Sequence, residues 1–203
     1  MKTQTKEIQE NLTPKTAHDI LVEGNKRFAQ NLKAQRDLQN QVFETSKGQF
    51  PFAVILSCID SRAPAELVFD QGIGDIFSVR VAGNIVNEDI LGSMEYACKV
   101  AGSKILVVMG HTKCGAVTAA CNHVELGNIT TLLSKIKPAV DVVNTMPEEM
   151  TDDVIEEVAQ LNVELSITRI KQESTILAEM EEQGEIEIVG AMYDVSTGLV
   201  EFI

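Results

Sequence analysis

The chain has 203 residues and a formal net charge of −13, so it is long enough for one hydrophobic core and one additional arm. This acidic balance argues against nucleic acid and anionic membranes as its main partners. It also gives an anionic substrate no long-range attraction, so any anion site has to be built from local groups.

The cysteines and the absence of long apolar segments in the sequence predict a cytoplasmic protein. Residues 1–20 contain no apolar core of a secretory signal, and no window has the apolar length that spans a bilayer. In a reducing compartment the four cysteines serve metal binding or catalysis more often than disulfides. Cys98 and Cys121 lie beside Ala and Val in helical patterns, which predicts small buried side chains without a chemical role.

The predicted elements alternate between helices and strands. Thr13 and Pro14 form a helix start, and an apolar stripe predicts a helix over residues 14–33. After a polar stretch that is loop or short helix, further helices are predicted over residues 63–69, 87–100, 115–121, 128–143 and 150–182, with Pro147-Glu148-Glu149 leading into the last. Strands are predicted over residues 53–57, 76–81, 104–109, 185–195 and 199–203.

This alternation indicates an α/β fold with a mostly parallel central sheet flanked by helices. The sequence has no internal repeat, so we expect a single domain over residues 1–203, with residues 1–35 as an N-terminal helical arm. An amphipathic helix in such an arm needs a surface to pack against, which is either the protein's own core or a partner subunit.

Two predicted strands end in chemically reactive side chains. Residues 53–57 lead directly into Cys58, and residues 104–109 lead into His111 and Cys114. Parallel sheets present their functional groups at the carboxyl ends of their strands. Two thiolates and an imidazole suit zinc, and three protein ligands leave one coordination position open, as in catalytic zinc sites. Taken alone, each residue is a buried thiol or an ordinary turn histidine.

An acidic and a basic residue follow Cys58 at alternate positions. In an extended segment, Cys58, Asp60 and Arg62 project to the same side. Asp60 then either coordinates the metal, as a fourth ligand in a closed state, or accepts a hydrogen bond from a water on the metal while Arg62 keeps it ionised. These two roles exclude each other, which indicates a switch. The plain alternative for an isolated Asp-x-Arg is a salt bridge in a loop.

Together these motifs resemble the β-class carbonic anhydrases. The resemblance rests on three segments: CIDSR at residues 58–62, FDQGIGDIFSVRVAGN at residues 69–84 and HTKCG at residues 111–115. It implies that Cys58, His111 and Cys114 bind zinc and that Asp60 and Arg62 form a catalytic dyad. The implied reaction is the reversible hydration of carbon dioxide to bicarbonate and a proton.

The resemblance also implies a pocket for a small linear substrate. Gln49 matches the family's pocket glutamine, Phe77 and Tyr96 match its aromatic residues, and Ala82 stands where some members carry Val. We therefore expect a slightly wider pocket than in those members. Without the resemblance, the two aromatic residues would be interpreted as core.

One position departs from the family. Some bacterial members bind bicarbonate as an inhibitor through a Trp three residues before the first zinc cysteine, together with an Arg and a Tyr. Here that position is Ile55 and the chain has no Trp, although Arg80 and Tyr193 match the other two residues. We expect this inhibitory site to be absent or weak, so that Asp60 pairs with Arg62 at neutral pH.

The resemblance further implies a homodimer or tetramer. We expect the N-terminal arm to pack on a partner subunit, with Gln49 and Tyr96 contributed to the neighbour's site. Three other functions stay open: a carbon disulfide or carbonyl sulfide hydrolase on the same scaffold, a non-catalytic zinc-binding protein, and a thiol-redox protein. The last is the weakest, because Cys58 and Cys114 lack Cys-x-x-Cys spacing.

Overall fold

A five-stranded sheet forms the centre of the computed structural model, which describes residues 3–143 and 151–203. The strands are β1 (Ala53–Ser57), β2 (Ile76–Arg80), β3 (Ile105–His111), β4 (Glu187–Tyr193) and β5 (Val200–Phe202). Their order across the sheet is β2-β1-β3-β4-β5; the first four are parallel, and β5 is antiparallel to β4. The predicted α/β fold with a mostly parallel sheet is confirmed.

The two central strands owe their place to their composition. β1 reads AVILS and β3 reads ILVVMGH, and every residue of both is buried. Such continuous apolar runs suit strands that are covered on both faces. Because β1 and β3 are parallel neighbours, their carboxyl ends meet at the same edge of the sheet.

Ten α-helices surround the sheet in the described part of the chain. They are α1 (Lys6–Asn11), α2 (Pro14–Ala29), α3 (Leu38–Thr45), α4 (Ala65–Val68), α5 (Glu88–Glu95), α6 (Gly115–Cys121), α7 (Gly127–Leu133), α8 (Lys137–Val143), α9 (Asp152–Glu173) and α10 (Thr175–Glu182). A 3₁₀ turn covers Ala82–Asn84, and a π-helical turn over Tyr96–Val100 follows α5. Among the described helices, none combines the length and apolar character needed to cross a membrane.

The helices form three apolar clusters with the sheet. On one face, Leu21 of α2 packs with Phe69 and the β1 residue Ile55. On the other face, α5, α9 and α10 pack against β1 and β3. The third cluster lies beyond the carboxyl ends of β1 and β3, where α6, α8 and α9 surround Cys58 and Cys114. Helix α9 therefore contributes both to the core and to the surroundings of these two cysteines.

Several predicted helix boundaries are wrong. Helix α2 stops at Ala29, because Asn31 adopts a φ of 56° and ends the helical path. The helix predicted over residues 128–143 is two helices, α7 and α8. The last predicted helix begins at Asp152 and is divided at Ser174, whose side chain accepts a hydrogen bond from the N–H of Leu177 and caps α10. Pro147-Glu148-Glu149 lies outside the described residues.

The predicted strand boundaries also shift. The strand predicted over residues 104–109 continues to His111, because this segment pairs with the whole of β4. The last two predicted strands are shorter than expected, since β4 and β5 are joined by a turn in which the N–H of Gly198 donates to the carbonyl of Asp194 at 2.9 Å. The edge strand β2 ends at Arg80, one residue earlier than predicted.

The N-terminal arm packs on its own sheet through α2, which buries Ala17 and Leu21 completely. An ion-pair cluster then attaches the end of the arm. The carboxylate of Asp70 accepts hydrogen bonds at 2.6 Å from Arg27 Nε and from Arg36 Nη1, and at 3.1 Å from the N–H of Ala34. Packing of the arm on a partner subunit stays a prediction.

Candidate metal centre

Three side chains converge where β1 and β3 end. The ligand atoms of Cys58, His111 and Cys114 all lie within 4.8 Å of one another, and the three residues are buried. Cys58 follows β1 directly, and His111 is the last residue of the parallel neighbour β3, so the sheet brings the two segments together. The predicted convergence of these side chains is found in the structure.

The two sulfur atoms are spaced as a shared metal ion requires. Cys58 Sγ and Cys114 Sγ are 4.0 Å apart. Tetrahedral zinc with Zn–S bonds of about 2.3 Å separates two sulfur ligands by about 3.8 Å, whereas a disulfide needs a separation of about 2.05 Å. Cysteines 58, 98, 114 and 121 are free thiols. The distance therefore fits metal ligation and does not fit a disulfide.

The imidazole of His111 has the orientation of a metal ligand. Its Nδ1 donates to the carbonyl of Thr112 at 2.9 Å, which leaves the lone pair on Nε2. Among the described residues, the buried Nε2 has no hydrogen-bond partner. A hydrogen bond from Nδ1 to a backbone carbonyl is the usual way in which a metal-binding histidine is held. The donor set thus fits zinc at all three positions.

Electrostatic contacts favour a thiolate at Cys58. A hydrogen bond from the Cys114 thiol lowers the pKa of Cys58, against the opposing effect of burial. The N–H of Gly83 contributes a further hydrogen bond to Cys58 Sγ at 3.3 Å. The pKa of Cys114 is raised, because its proton is shared with Cys58 and because the thiol is buried. These contacts favour the thiolate form at Cys58 over that at Cys114.

Asp60 and Arg62 form a closely held pair beside these ligands. Asp60 Oδ1 accepts from the N–H and the Nε of Arg62, both at 2.9 Å, and Asp60 Oδ2 accepts from Arg62 Nη2 at 2.8 Å. Asp60 Oδ2 lies 3.9 Å from His111 Nε2. The hydrogen bonds from Arg62 lower the pKa of Asp60 to about 2, so the carboxylate is ionised at neutral pH.

The extended geometry predicted for Cys58 to Arg62 is wrong. The N–H of Ala63 donates to the carbonyl of Asp60 at 3.0 Å, which closes a turn at this point. Arg80 stabilises the segment from β2: its Nε donates to the carbonyl of Cys58 at 3.0 Å and its Nη2 to the carbonyl of Asp60 at 2.7 Å. Arg62 reaches Asp60 because the chain turns, not because alternate side chains share a face.

At the three positions of the family's inhibitory site, the residues of this chain are buried in the core or bonded to backbone groups near the candidate ligands. Ile55 is completely buried in the core below the site, and Tyr193 is also buried. The backbone carbonyl of Tyr193 accepts from the N–H of Thr112 at 2.9 Å, beside His111. Arg80 is engaged with the backbone carbonyls described above. Absence or weakness of a bicarbonate inhibitory site stays a prediction.

The predicted pocket residues occupy two separate places in one chain. Ala82 adjoins Gly83, which contacts Cys58. Phe77 and Tyr96 pack edge to face with ring centroids 6.4 Å apart, in a cavity of about 700 Å³ between β2 and α5. Tyr96 is 54% exposed and Gln49 is exposed. Within a single chain, Phe77 and Tyr96 therefore line a cavity to which Cys58, His111 and Cys114 do not contribute.

Sequence reasoning missed two residues of α9 that contact the site backbone. Glu156 Oε1 accepts from the N–H of Lys113 at 2.7 Å, and Asn162 Nδ2 donates to the carbonyl of Gly83 at 2.9 Å. A signal was present for Asn162, because it occupies the apolar stripe of α9 between the buried Ala159 and Ser166. A polar residue at such a position needs a hydrogen-bond partner.

These features define an α/β protein with a candidate metal site at the carboxyl ends of its central strands. The family model described as Carbonic anhydrase matches residues 53–200. Carbonic anhydrase 2 of Mycobacterium tuberculosis is 33% identical over 195 residues, covering 93% of this chain and 92% of that protein. The carbonic anhydrase of Mycolicibacterium smegmatis is 32% identical over 198 residues, covering 94% of each.

Solved structures agree with the sequence relatives. The crystal structure of the β-carbonic anhydrase CafA of Aspergillus fumigatus has a TM-score of 0.72 and 26% identity, and the match covers 92% of this chain and 90% of that one. A tetrameric β-carbonic anhydrase of Sordaria macrospora has a TM-score of 0.72 and 25% identity over 93% and 97% of the two chains. The chain therefore belongs to the carbonic anhydrase family, in its β class.

Proposed function

We propose that this β-class carbonic anhydrase catalyses the reversible hydration of carbon dioxide to bicarbonate and a proton at the Cys58–His111–Cys114 site. The observation that carries the proposal is the position of an ionised carboxylate beside three converging metal ligands. A protein that only stored metal would not need Asp60 held by Arg62 through three hydrogen bonds.

Zinc is the metal that fits this donor set. Cys58 Sγ, Cys114 Sγ and His111 Nε2 would hold it, because two thiolates and an imidazole match its ligand preference. When bound, zinc supplies a Lewis acid that makes a coordinated water more acidic than bulk water. Three protein ligands leave one position for that water.

The Asp60–Arg62 pair orients water for attack. An ionised carboxylate only accepts hydrogen bonds, so Asp60 would accept a hydrogen bond from the water in the site and direct an oxygen lone pair toward carbon dioxide. Arg62 cannot swing away freely, because its Nη2 also donates to the carbonyl of Lys113 at 3.1 Å. We propose Asp60 in this role, with coordination of the metal by Asp60 confined to a closed state.

Substrate binding in this proposal needs more than one subunit. Carbon dioxide is small, linear and apolar, so it calls for apolar walls and few hydrogen-bond donors. Ala82 lies beside the site of its own chain, while Gln49, Phe77 and Tyr96 would serve the site of a partner. The exposed positions of Gln49 and Tyr96 support this arrangement. We propose a homodimer or tetramer of single-domain subunits, located in the cytoplasm, where free thiols stay reduced.

Stopped-flow hydration of carbon dioxide tests the function, together with metal analysis of the same sample. We expect equimolar zinc in the wild type, and a loss of about 10²-fold or more in hydration rate for Asp60→Asn at unchanged zinc content. Asp19→Asn is the matched control, because Asp19 forms an exposed pair with Lys15. Full hydration by zinc-loaded Asp60→Asn would refute the proposed role of Asp60.

The hydrolysis of carbon disulfide or carbonyl sulfide is not favoured. The family model and the relatives described above are named as carbonic anhydrases. The same stopped-flow samples separate the two activities when sulfide release is measured in parallel. Sulfide release without hydration would replace the proposed substrate.

A further inference from the structure

Asn162 is a buried polar residue that the proposed reaction does not use. It lies on α9, is only 3% exposed, and is followed by the fully buried Val163. A buried amide needs hydrogen-bond partners, because leaving it unpaired is destabilising. Its Nδ2 donates to the carbonyl of Gly83 at 2.9 Å. Any effect of Asn162 on the site is therefore transmitted through Gly83, which accepts this hydrogen bond.

Gly83 connects Asn162 to a candidate metal ligand. The N–H of Gly83 donates to Cys58 Sγ at 3.3 Å, while its carbonyl accepts from Asn162. Gly83 adopts a φ of 67°, and a Cβ there would lie 2.6 Å from Ile136 Cδ1, so only glycine fits without displacing a neighbour. Because glycine is conformationally permissive, the direction of its N–H depends on the contacts that hold its two peptide groups.

We propose that Asn162 is a positioning residue: it fixes Gly83 so that the Gly83 N–H points at Cys58 Sγ, and it thereby strengthens the retention of metal by Cys58. This inference rests on the proposed zinc site. A hydrogen bond to a buried thiolate offsets part of its negative charge, which keeps the sulfur in the geometry of a ligand. Outer partners of metal ligands commonly change metal affinity by about 10–100-fold when they are removed.

The same helix supports the other ligand segment. Glu156 Oε1 accepts from the N–H of Lys113 at 2.7 Å, and Lys113 has a positive φ of 54° between His111 and Cys114. Helix α9 thus contacts the backbone beside Cys58 through Asn162 and the backbone beside Cys114 through Glu156. One rigid helix of 22 residues sets the relative position of two segments that come from different strands.

Asn162→Leu removes the amide at similar volume and tests the proposal in the zinc-loaded enzyme. The matched control is Asn25→Leu: Asn25 is 4% exposed and also donates to backbone carbonyls, of Val68 at 3.1 Å and Gly198 at 2.9 Å. We expect Asn162→Leu to lose zinc to a chelator about tenfold faster than the wild type. Its Co²⁺ form should show a shifted thiolate-to-cobalt absorption band. Asn25→Leu should change neither property, even where it lowers thermal stability.

A conservative variant and a measurement on the wild type complete the test. Asn162→Gln keeps a terminal amide donor and should retain zinc better than Asn162→Leu. In the wild type loaded with ¹¹³Cd²⁺, the Gly83 amide proton should show scalar coupling to cadmium through Cys58 Sγ. Absence of that coupling overturns the proposal, as does an Asn162→Leu protein that matches the wild type in zinc loss and cobalt spectrum. A wild type that binds no zinc would instead overturn the proposed metal site.

Discussion

Replacement of Asp70 by Asn tests how firmly the N-terminal arm is held to the rest of the subunit. The Asp70 side chain is 4% exposed, and its partners Arg36 and Arg27 are 7% and 29% exposed. Both arginines contact the carboxylate at 2.6 Å. The substitution keeps the shape of the side chain but removes the carboxylate charge that both arginines contact.

The expected cost follows from this burial. Removal of one partner of a buried ion pair destabilises a protein by about 3–5 kcal/mol. The remaining amide oxygen of Asn still accepts a hydrogen bond, so we expect the lower end, about 3 kcal/mol. For a chain of this length, that corresponds to a decrease of roughly 6–12 °C in Tm.

Urea unfolding of the zinc-loaded protein at pH 7 measures this cost. The control is Asp19→Asn, since Asp19 and Lys15 form a surface pair with side chains 55% and 82% exposed. Such exposed pairs contribute about 0.5 kcal/mol or less. If Asp70→Asn and Asp19→Asn have the same unfolding midpoint, the buried cluster does not stabilise the arm and the reasoning fails.

The pH dependence gives a second check on Asp70. Burial alone would raise its pKa, but hydrogen bonds from Arg27, the Ala34 N–H and Arg36 outweigh burial and lower the pKa below the ordinary 3.8. A lowered folded-state pKa means that the stabilisation is present above pH 3.8 and is lost as the pH falls through the folded-state pKa. The stability difference between wild type and Asp70→Asn should therefore be constant from pH 7 to pH 5. A difference that already closes in that interval would contradict the assignment.

Three further predictions concern the metal centre. A chelator should abolish hydration and lower the Tm, because metal binding is coupled to folding. Added zinc should restore both, as measured by activity assays and calorimetry. A chelated protein with full activity would contradict this. Arg80→Ala should slow hydration about tenfold at unchanged zinc content, because Arg80 holds the carbonyls of Cys58 and Asp60; an unchanged stopped-flow rate would disprove its role. Gly83→Ala should lower stability by about 2 kcal/mol in urea, because its φ is 67° and a Cβ meets Ile136; an unchanged midpoint would refute the strain.

The candidate ligands were predictable because their chemistry and their surroundings are local in the chain. Cys58 follows a run of apolar residues, and His111 and Cys114 lie at the end of another. Apolar runs of this length indicate buried strands, and polar groups directly after such strands lie at the carboxyl edge of a parallel sheet. That Cys58 and His111 are adjacent follows only from the pairing of β1 with β3.

The turn after Asp60 shows where local reasoning fails. Alternation along CIDSR predicted an extended segment, but Arg80 of the neighbouring strand binds the carbonyls of Cys58 and Asp60 and the chain turns. Arg80 lies 22 positions from Cys58. A contact over this separation has no signature in the five residues of the motif, so the pattern could not predict the turn.

By itself, the sequence determined the class of fold, the set of candidate ligands and the Asp60–Arg62 pair, because residue type and short-range order carry that information. Only the tertiary structure decided how these groups are held: Asn162 reaches Gly83 across 79 positions, and Glu156 reaches Lys113 across 43. The physical reason is that a hydrogen bond to a backbone carbonyl or N–H group does not depend on the side chain of the residue that carries this group. Their partners are therefore chosen by packing of α9 on the sheet and leave no motif in the sequence.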